Sequence, residues 1–153
     1  IILVRSESSL TVAHLNNSRS QRILWILEEL SIPYEIKRYN RGPDHLAPKE
    51  LKEVHPLGKS PVITDTARDN KVVAESGAII NYLIKYYGQG RGLPSKDRED
   101  DNDFWTQFSE ASLMPKLVMK LIFMLVPSQS PFFVRPILNM IGSQVNGRLV
   151  DPD

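Results

Sequence analysis

Between Leu10 and Tyr39 the hydrophobic period of the chain changes twice, and no other feature limits the fold as much. Leu10-Thr11-Val12-Ala13-His14-Leu15 alternates as a half-buried strand does. Asn16-Asn17-Ser18 carries turn chemistry and can supply an N-cap. From Arg22 the spacing becomes helical: Ile23, Ile26, Leu27 and Leu30 recur on one face, with Arg22, Glu28 and Glu29 on the other. Ser31-Ile32-Pro33 ends that helix, and Tyr34 to Tyr39 alternates again as a second strand. Strand, helix and strand in immediate succession read as a parallel βαβ unit.

The next segment poses a proline problem. After the polar loop Asn40–Pro48, Pro48 to Glu53 reads as a short helix with proline in its first turn. Then comes HPLGKSPVITD, His55 to Asp65, where Pro61 stands directly before the strand Val62-Ile63-Thr64. Proline has no N–H to give a ladder and is kept out of central strands. Either the strand begins at an edge or turn, or the Ser60–Pro61 peptide is cis, a state that exposes the main chain of Ser60. Thr66–Lys71 is a polar turn, and Val72-Val73-Ala74 returns as a hairpin partner. Ser76 opens a helix carrying Ala78, Ile79, Tyr82, Leu83 and Tyr86, closed by Gly88. The order is βαβ-α-ββ-α.

Gln89 to Ser95 reads as a linker rich in Gly, Pro and Arg. Beyond Lys96 the segment Asp97–Asp103 is acidic, and a long helical pattern then runs from Phe104 through Leu125, stopped by Pro127. Phe132 to Val150 reads as a further helix, weakened by Gly142 and Gly147. The most apolar run, Leu117–Val126, is interrupted by Lys120 and is too short to cross a bilayer. Ile1 to Val4 is followed at once by Arg5, Ser6 and Glu7, so no secretory leader is evident.

Composition narrows the chemistry. The net charge of +1 gives no electrostatic pull toward nucleic acid. Cysteine is absent, which removes disulfides, thiolate metal sites and a cysteine nucleophile, and fits a reducing compartment such as the cytoplasm.

Three stretches, NNSRSQRILWILEEL, HPLGKSPVI and AESGAIINYLIKYYG, occur in an order and spacing that resemble the N-terminal domain of the cytosolic glutathione transferases. The likeness is greatest to the fungal and bacterial type whose first helix opens with Ser-Arg-Ser, and it runs from about Leu10 to Met140. It implies an α/β thioredoxin-like domain over residues 10–88 and an all-α C-terminal domain over 96–153. Family chains are longer, so the second domain is expected to be incomplete and the chain to end without its later helices.

The resemblance also assigns roles. Pro61 falls on the family's cis proline, which would leave the N–H and C=O of Ser60 to pair with glutathione as an extended strand. The family usually has an apolar residue at position 60. Because the binding uses backbone, the serine should cost little. Ser76 begins a helix, and a helix N-terminus is an anion site. The resemblance gives it the γ-glutamyl carboxylate, and Glu75 the amino group; the plain alternative is a capped helix with an acidic start. Lys59 would hold the glycyl carboxylate, with His45 or Lys49 as substitutes, although a loop lysine is usually just solvated. The thiol-activating slot falls at Asn17 or Ser18, and the hydroxyl favours Ser18, whose other reading is an N-cap. Phe108, Ser112, Leu113 and Met114 are the residues expected to face the cleft for a hydrophobic electrophile.

The implied activity is conjugation of glutathione thiolate to such electrophiles, a detoxification reaction, with glutathione-dependent peroxide reduction also open. Glutathione is a co-substrate and no further cofactor is implied. Without cysteine, a mixed disulfide on the protein is excluded. The family implies a homodimer. The rival readings are a non-catalytic glutathione-binding or protein-interaction module on the same scaffold, and an assembly role with stable partners.

Overall fold

Four strands form one mixed sheet in the order β2-β1-β3-β4. The computed structural model describes residues 8–150, so the leader question at Ile1–Glu7 and the ending at Asp151-Pro152-Asp153 lie outside the described residues. The strands are β1 (Leu10–Leu15), β2 (Glu35–Tyr39), β3 (Val62–Asp65) and β4 (Lys71–Ala74). β1 and β2 are parallel, joined by the helix α1 (Gln21–Glu29), while β3 is antiparallel to both β1 and β4. A short helix α2 (Leu51–Val54) and a longer α3 (Ser76–Tyr87) complete the first unit. This is the thioredoxin-like arrangement.

The period-two pattern of β1 divides the core between the two faces of the sheet. Leu10 and Val12 join Ile23, Leu27, Ile79 and Leu83 under α1 and α3. Ala13 and Leu15 join Leu51, Tyr39 and Val62 under α2. Asp65 is a fully buried carboxylate beside the first of these clusters. It accepts hydrogen bonds from the Tyr82 hydroxyl at 2.8 Å, the Tyr87 hydroxyl at 2.5 Å and the Ala67 amide at 3.1 Å. Those three donors replace the water it gave up, as a buried charge requires.

Several boundaries differ from the sequence reading. Residues 48–50 form tight i→i+3 turns, so α2 begins only at Leu51. Gly88 closes α3 with a helical φ of −69°, not a left-handed one. Its small size is needed for clearance instead, because a Cβ there would lie 2.5 Å from the Ile84 carbonyl oxygen. The segment after Gly88 is no free linker: the Arg91 guanidinium donates to the Leu30 carbonyl.

The described residues divide into two compact units, one ending at Leu93 and the other beginning at Pro94. The second unit is helical: α4 (Glu99–Gln107), a π-helical stretch Phe108–Leu113, α5 (Met114–Gln129), α6 (Arg135–Val145) and a second π-helical stretch, Asn146–Val150. α4 starts before Phe104 because Glu99, Asp100 and Asp101 suit the positive end of a helix. Pro127 does not stop α5, which runs on to Gln129; so near the C-terminus a proline removes little of the ladder. α6 starts at Arg135, after Phe132 and Phe133 have formed a turn.

The helix that contains the apolar run is longer than the run itself. Helix runs unbroken over Lys96–Gln129, 34 residues, through Lys120. By length and composition that is long and apolar enough to cross a membrane, which the short run Leu117–Val126 by itself did not indicate.

Candidate functional site

Sheet register brings the N-terminal candidates to one place. Leu15 lies opposite Tyr39, Ala13 opposite Val62, and Val62 opposite Ala74. The turn after β1, the loop after β2, the Ser60–Pro61 peptide before β3 and Glu75–Ser76 after β4 therefore share one end of the sheet.

The Ser60–Pro61 peptide is cis. Pro61 is buried, and Ser60 is half-buried. The Ser60 hydroxyl donates to the Ala13 carbonyl at 2.8 Å and accepts from the Leu15 N–H at 3.1 Å. It thus serves the main chain of β1 where a proline-led strand has no N–H to give. An apolar residue at position 60 could not make these two bonds, so the serine is a structural part of this end of the sheet.

Ser18 is half-buried and fully engaged. Its hydroxyl donates to the Leu15 carbonyl at 2.6 Å and lies 2.8 Å from Ser20 Oγ and 3.5 Å from Ser60 Oγ. It also accepts from the Ser20 N–H at 3.3 Å. It does not cap α1: the capping position is Ser20, with helical dihedrals and no side-chain capping bond. Asn17 is exposed, with a left-handed φ of 49° that asparagine tolerates.

Two residues of this corner escaped the sequence reading. Ser20 is fully buried, and its Oγ lies 2.7 Å from Nδ1 of His14. Burial first, and the Arg38 charge second, hold the His14 imidazole below its ordinary pKa. The available signal was the alternation of β1, which puts a histidine on the same side as Leu10 and Val12. The third omission is Arg41. Its N–H donates to Asn16 Oδ1 at 2.8 Å, and its guanidinium donates to the carbonyls of Asn16 (3.3 Å), Asn17 (3.4 Å) and His45 (3.0 Å). This arginine ties the loop after β2 to the turn after β1. His45 itself is exposed, with φ 60°.

Glu75 is exposed and holds φ 71°, ψ 128°, a strained conformation for a residue with a Cβ. Ser76 is buried as the first residue of α3, so it opens the helix and Glu75 occupies the capping position. The first amides of α3 have no acceptor within the helix, and the dipole adds positive potential there. Lys59 and Lys49 are both exposed.

Phe108, Ser112 and Leu113 belong to the π-helical stretch of the second unit, and Met114 follows it directly. Phe108 stacks on Phe104 at 5.9 Å and meets Trp105 edge-on at 5.6 Å.

Comparison with known proteins gives this geometry a family. The glutathione S-transferase N-terminal domain matches residues 18–85. Glutathione S-transferase 3 of Schizosaccharomyces pombe is 41% identical over 136 residues, 88% of this chain and 53% of that protein. Glutathione S-transferase 1 of Saccharomyces cerevisiae is 33% identical over 138 residues, 86% of this chain and 59% of that protein. The chain therefore spans little more than half the length of these curated relatives. In fold it is similar to the crystal structure of a glutathione transferase from Phanerochaete chrysosporium, solved with oxidized glutathione: TM-score 0.68 at 20% identity, over 91% of this chain and 64% of that one. The matched domain, the sequence relatives and the mixed sheet with its helices agree: the chain carries a glutathione S-transferase N-terminal domain over residues 18–85.

Proposed function

We propose that this chain forms the glutathione-binding part of a glutathione transferase that conjugates glutathione thiolate to hydrophobic electrophiles, with peroxide reduction as a secondary activity. The observation that carries this reading is the convergence of Ser18, Ser60, Pro61, Glu75 and Ser76 at one end of the sheet. Together with the sequence relatives, it supports a tripeptide site there. Ser60 would pair main chain to main chain with the peptide. The first amides of α3, at Ser76, would take the γ-glutamyl carboxylate, and Glu75 the amino group. Lys59, with His45 or Lys49 as substitutes, would meet the glycyl carboxylate. Ser18, rather than Asn17, would hydrogen-bond the sulfur and favour thiolate over thiol.

Phe108, Ser112, Leu113 and Met114 would contribute to the electrophile site. The same reading makes the protein a cytoplasmic homodimer that needs no cofactor beyond its co-substrate, spans no membrane and binds no nucleic acid. Retention of the chain on immobilised glutathione, followed by turnover of a generic aromatic halide, tests it. Absence of both overturns it.

One observation favours the non-catalytic reading: the Ser18 hydrogen has the Leu15 carbonyl as an acceptor at 2.6 Å and must turn away from it to reach sulfur. Retention on the column without turnover would select that reading.

A further inference from the structure

The Ser18 hydroxyl is one end of a chain of polar groups that runs back into the sheet. Ser18 Oγ is 2.8 Å from Ser20 Oγ, and Ser20 Oγ is 2.7 Å from His14 Nδ1. Ser20 is fully buried, so its hydroxyl has no bulk water to exchange with, and its neighbours are Ser18, His14 and, at 3.5 Å, the Leu15 carbonyl. His14 is only half-buried and carries a second ring nitrogen. A buried hydroxyl spanning a half-buried hydroxyl and an imidazole is the geometry of a proton wire. A simple structural serine needs one acceptor, not this alignment.

We propose that His14 is the proton acceptor for the thiol of glutathione, reached through Ser18 and Ser20. The inference rests on the reading that places the thiol at Ser18. The step balances as follows. The sulfur–hydrogen bond breaks and its electron pair stays on sulfur. That proton goes to Ser18 Oγ as Ser18 passes its own hydrogen to Ser20 Oγ, and Ser20 passes its own to Nδ1 of His14. The ring, which starts with its proton on Nε2, becomes imidazolium and later releases the Nε2 proton to water. Both serines end with the same number of hydrogens as they began.

Burial and Arg38 of the neighbouring strand keep the ring neutral near pH 7, so it is free to accept. The thiolate left at the far end supplies the negative charge that stabilises the imidazolium, and the two groups titrate as a pair. The Leu15 carbonyl is the competing acceptor for the Ser18 hydrogen, and the wire conducts when that hydrogen points to Ser20. His14 and Ser20 are positioning residues: they act on sulfur only through Ser18.

The experiment follows thiolate absorbance of glutathione bound to the full chain, titrated with pH at saturating glutathione. His14→Gln keeps a polar side chain but cannot take the proton, and Ser20→Ala removes the wire while keeping a small side chain. Each should raise the pH of half-titration by about one unit. Ser20→Thr, which keeps the hydroxyl, should restore the original curve. A Ser20→Ala curve that overlays that of the unaltered chain overturns the relay, whether or not His14→Gln folds. So does a Ser20→Thr curve that matches Ser20→Ala. If the unaltered chain binds no glutathione, the proposed function falls and the relay with it. Binding with an unshifted titration removes the relay and leaves the function standing.

Discussion

The two units hold similar sequence patterns and put them to different use. In the first, amphipathic α1 and α3 bury Ile23, Leu27, Ile79 and Leu83 completely against the sheet. In the second, α4, α5 and α6 are equally regular, yet among the described residues only Pro127 and Gly142 are buried there. Trp105, Leu121, Met124, Phe132 and Phe133 stay more than half exposed. Helix formation needs only local hydrogen bonds and tolerable propensities. Burial needs a facing layer, which in the first unit is the sheet. A helical period therefore reports secondary structure in both units but reports a core in only one.

The largest test of this contrast removes the same atoms from each side. Leu27→Ala, at a fully buried site, should cost about 2–5 kcal/mol. Leu121→Ala, half exposed on α5, should stay within about 0.5 kcal/mol. Denaturant midpoints of the two variants would break the comparison if the losses were alike.

Asp65 sharpens it next, because its three donors make a polar centre that belongs to the first unit. Asp65→Ala leaves the Tyr82 and Tyr87 hydroxyls without that acceptor and should cost about 1–3 kcal/mol. Burial, followed by the bond to Asp65, pushes both phenols above their ordinary pKa. The folded chain therefore holds those protons to higher pH than the unfolded one. Their contribution is complete below about pH 10 and declines as pH rises beyond it. An alkaline melting series should show this decline in the unaltered chain and less of it in Tyr82→Phe.

Glu75 separates stability from binding within one residue. Glu75→Gly relieves the positive φ and should stabilise the fold by about 1 kcal/mol. Under the proposed function, Glu75→Ala weakens glutathione binding by about 1–3 kcal/mol. Calorimetry showing unchanged affinity would remove Glu75 from the site. The smallest effect belongs to Tyr39, whose buried hydroxyl has no partner. Tyr39→Phe should leave the melting temperature unchanged or raise it slightly, worth up to about 1 kcal/mol.

The strands and helices of the first unit were legible because period two and period 3.6 are written directly in β1, α1 and α3. Motif spacing singled out Ser18, Ser60 and Glu75–Ser76 as candidates, and the sheet register brings them to one end. Ser20, His14 and Arg41 were not singled out, because their roles arise from which strand ends meet, and pairing is non-local. Ser20 looked like one more hydroxyl in a turn, and Arg41 like one more charge in a polar loop. The starts of α4 and α6 were misplaced for a different reason. Apolar spacing marks the middle of a helix, whereas its ends are set by charge and turn geometry, at Glu99–Asp101 and at Phe132–Phe133.

The bond from the Leu15 amide to the Ser60 hydroxyl has a dynamic consequence. Most amides of a sheet are shielded by another strand and exchange with solvent only when the sheet itself opens. The Leu15 amide is shielded by a side chain on the loop before Pro61, so rotation of one hydroxyl, or a small movement of that loop, exposes it. Its hydrogen-exchange rate is therefore a local clock for this end of the sheet, running independently of global unfolding, and a peptide that holds Ser60 in place should slow it while leaving the amides of α1 at their own pace.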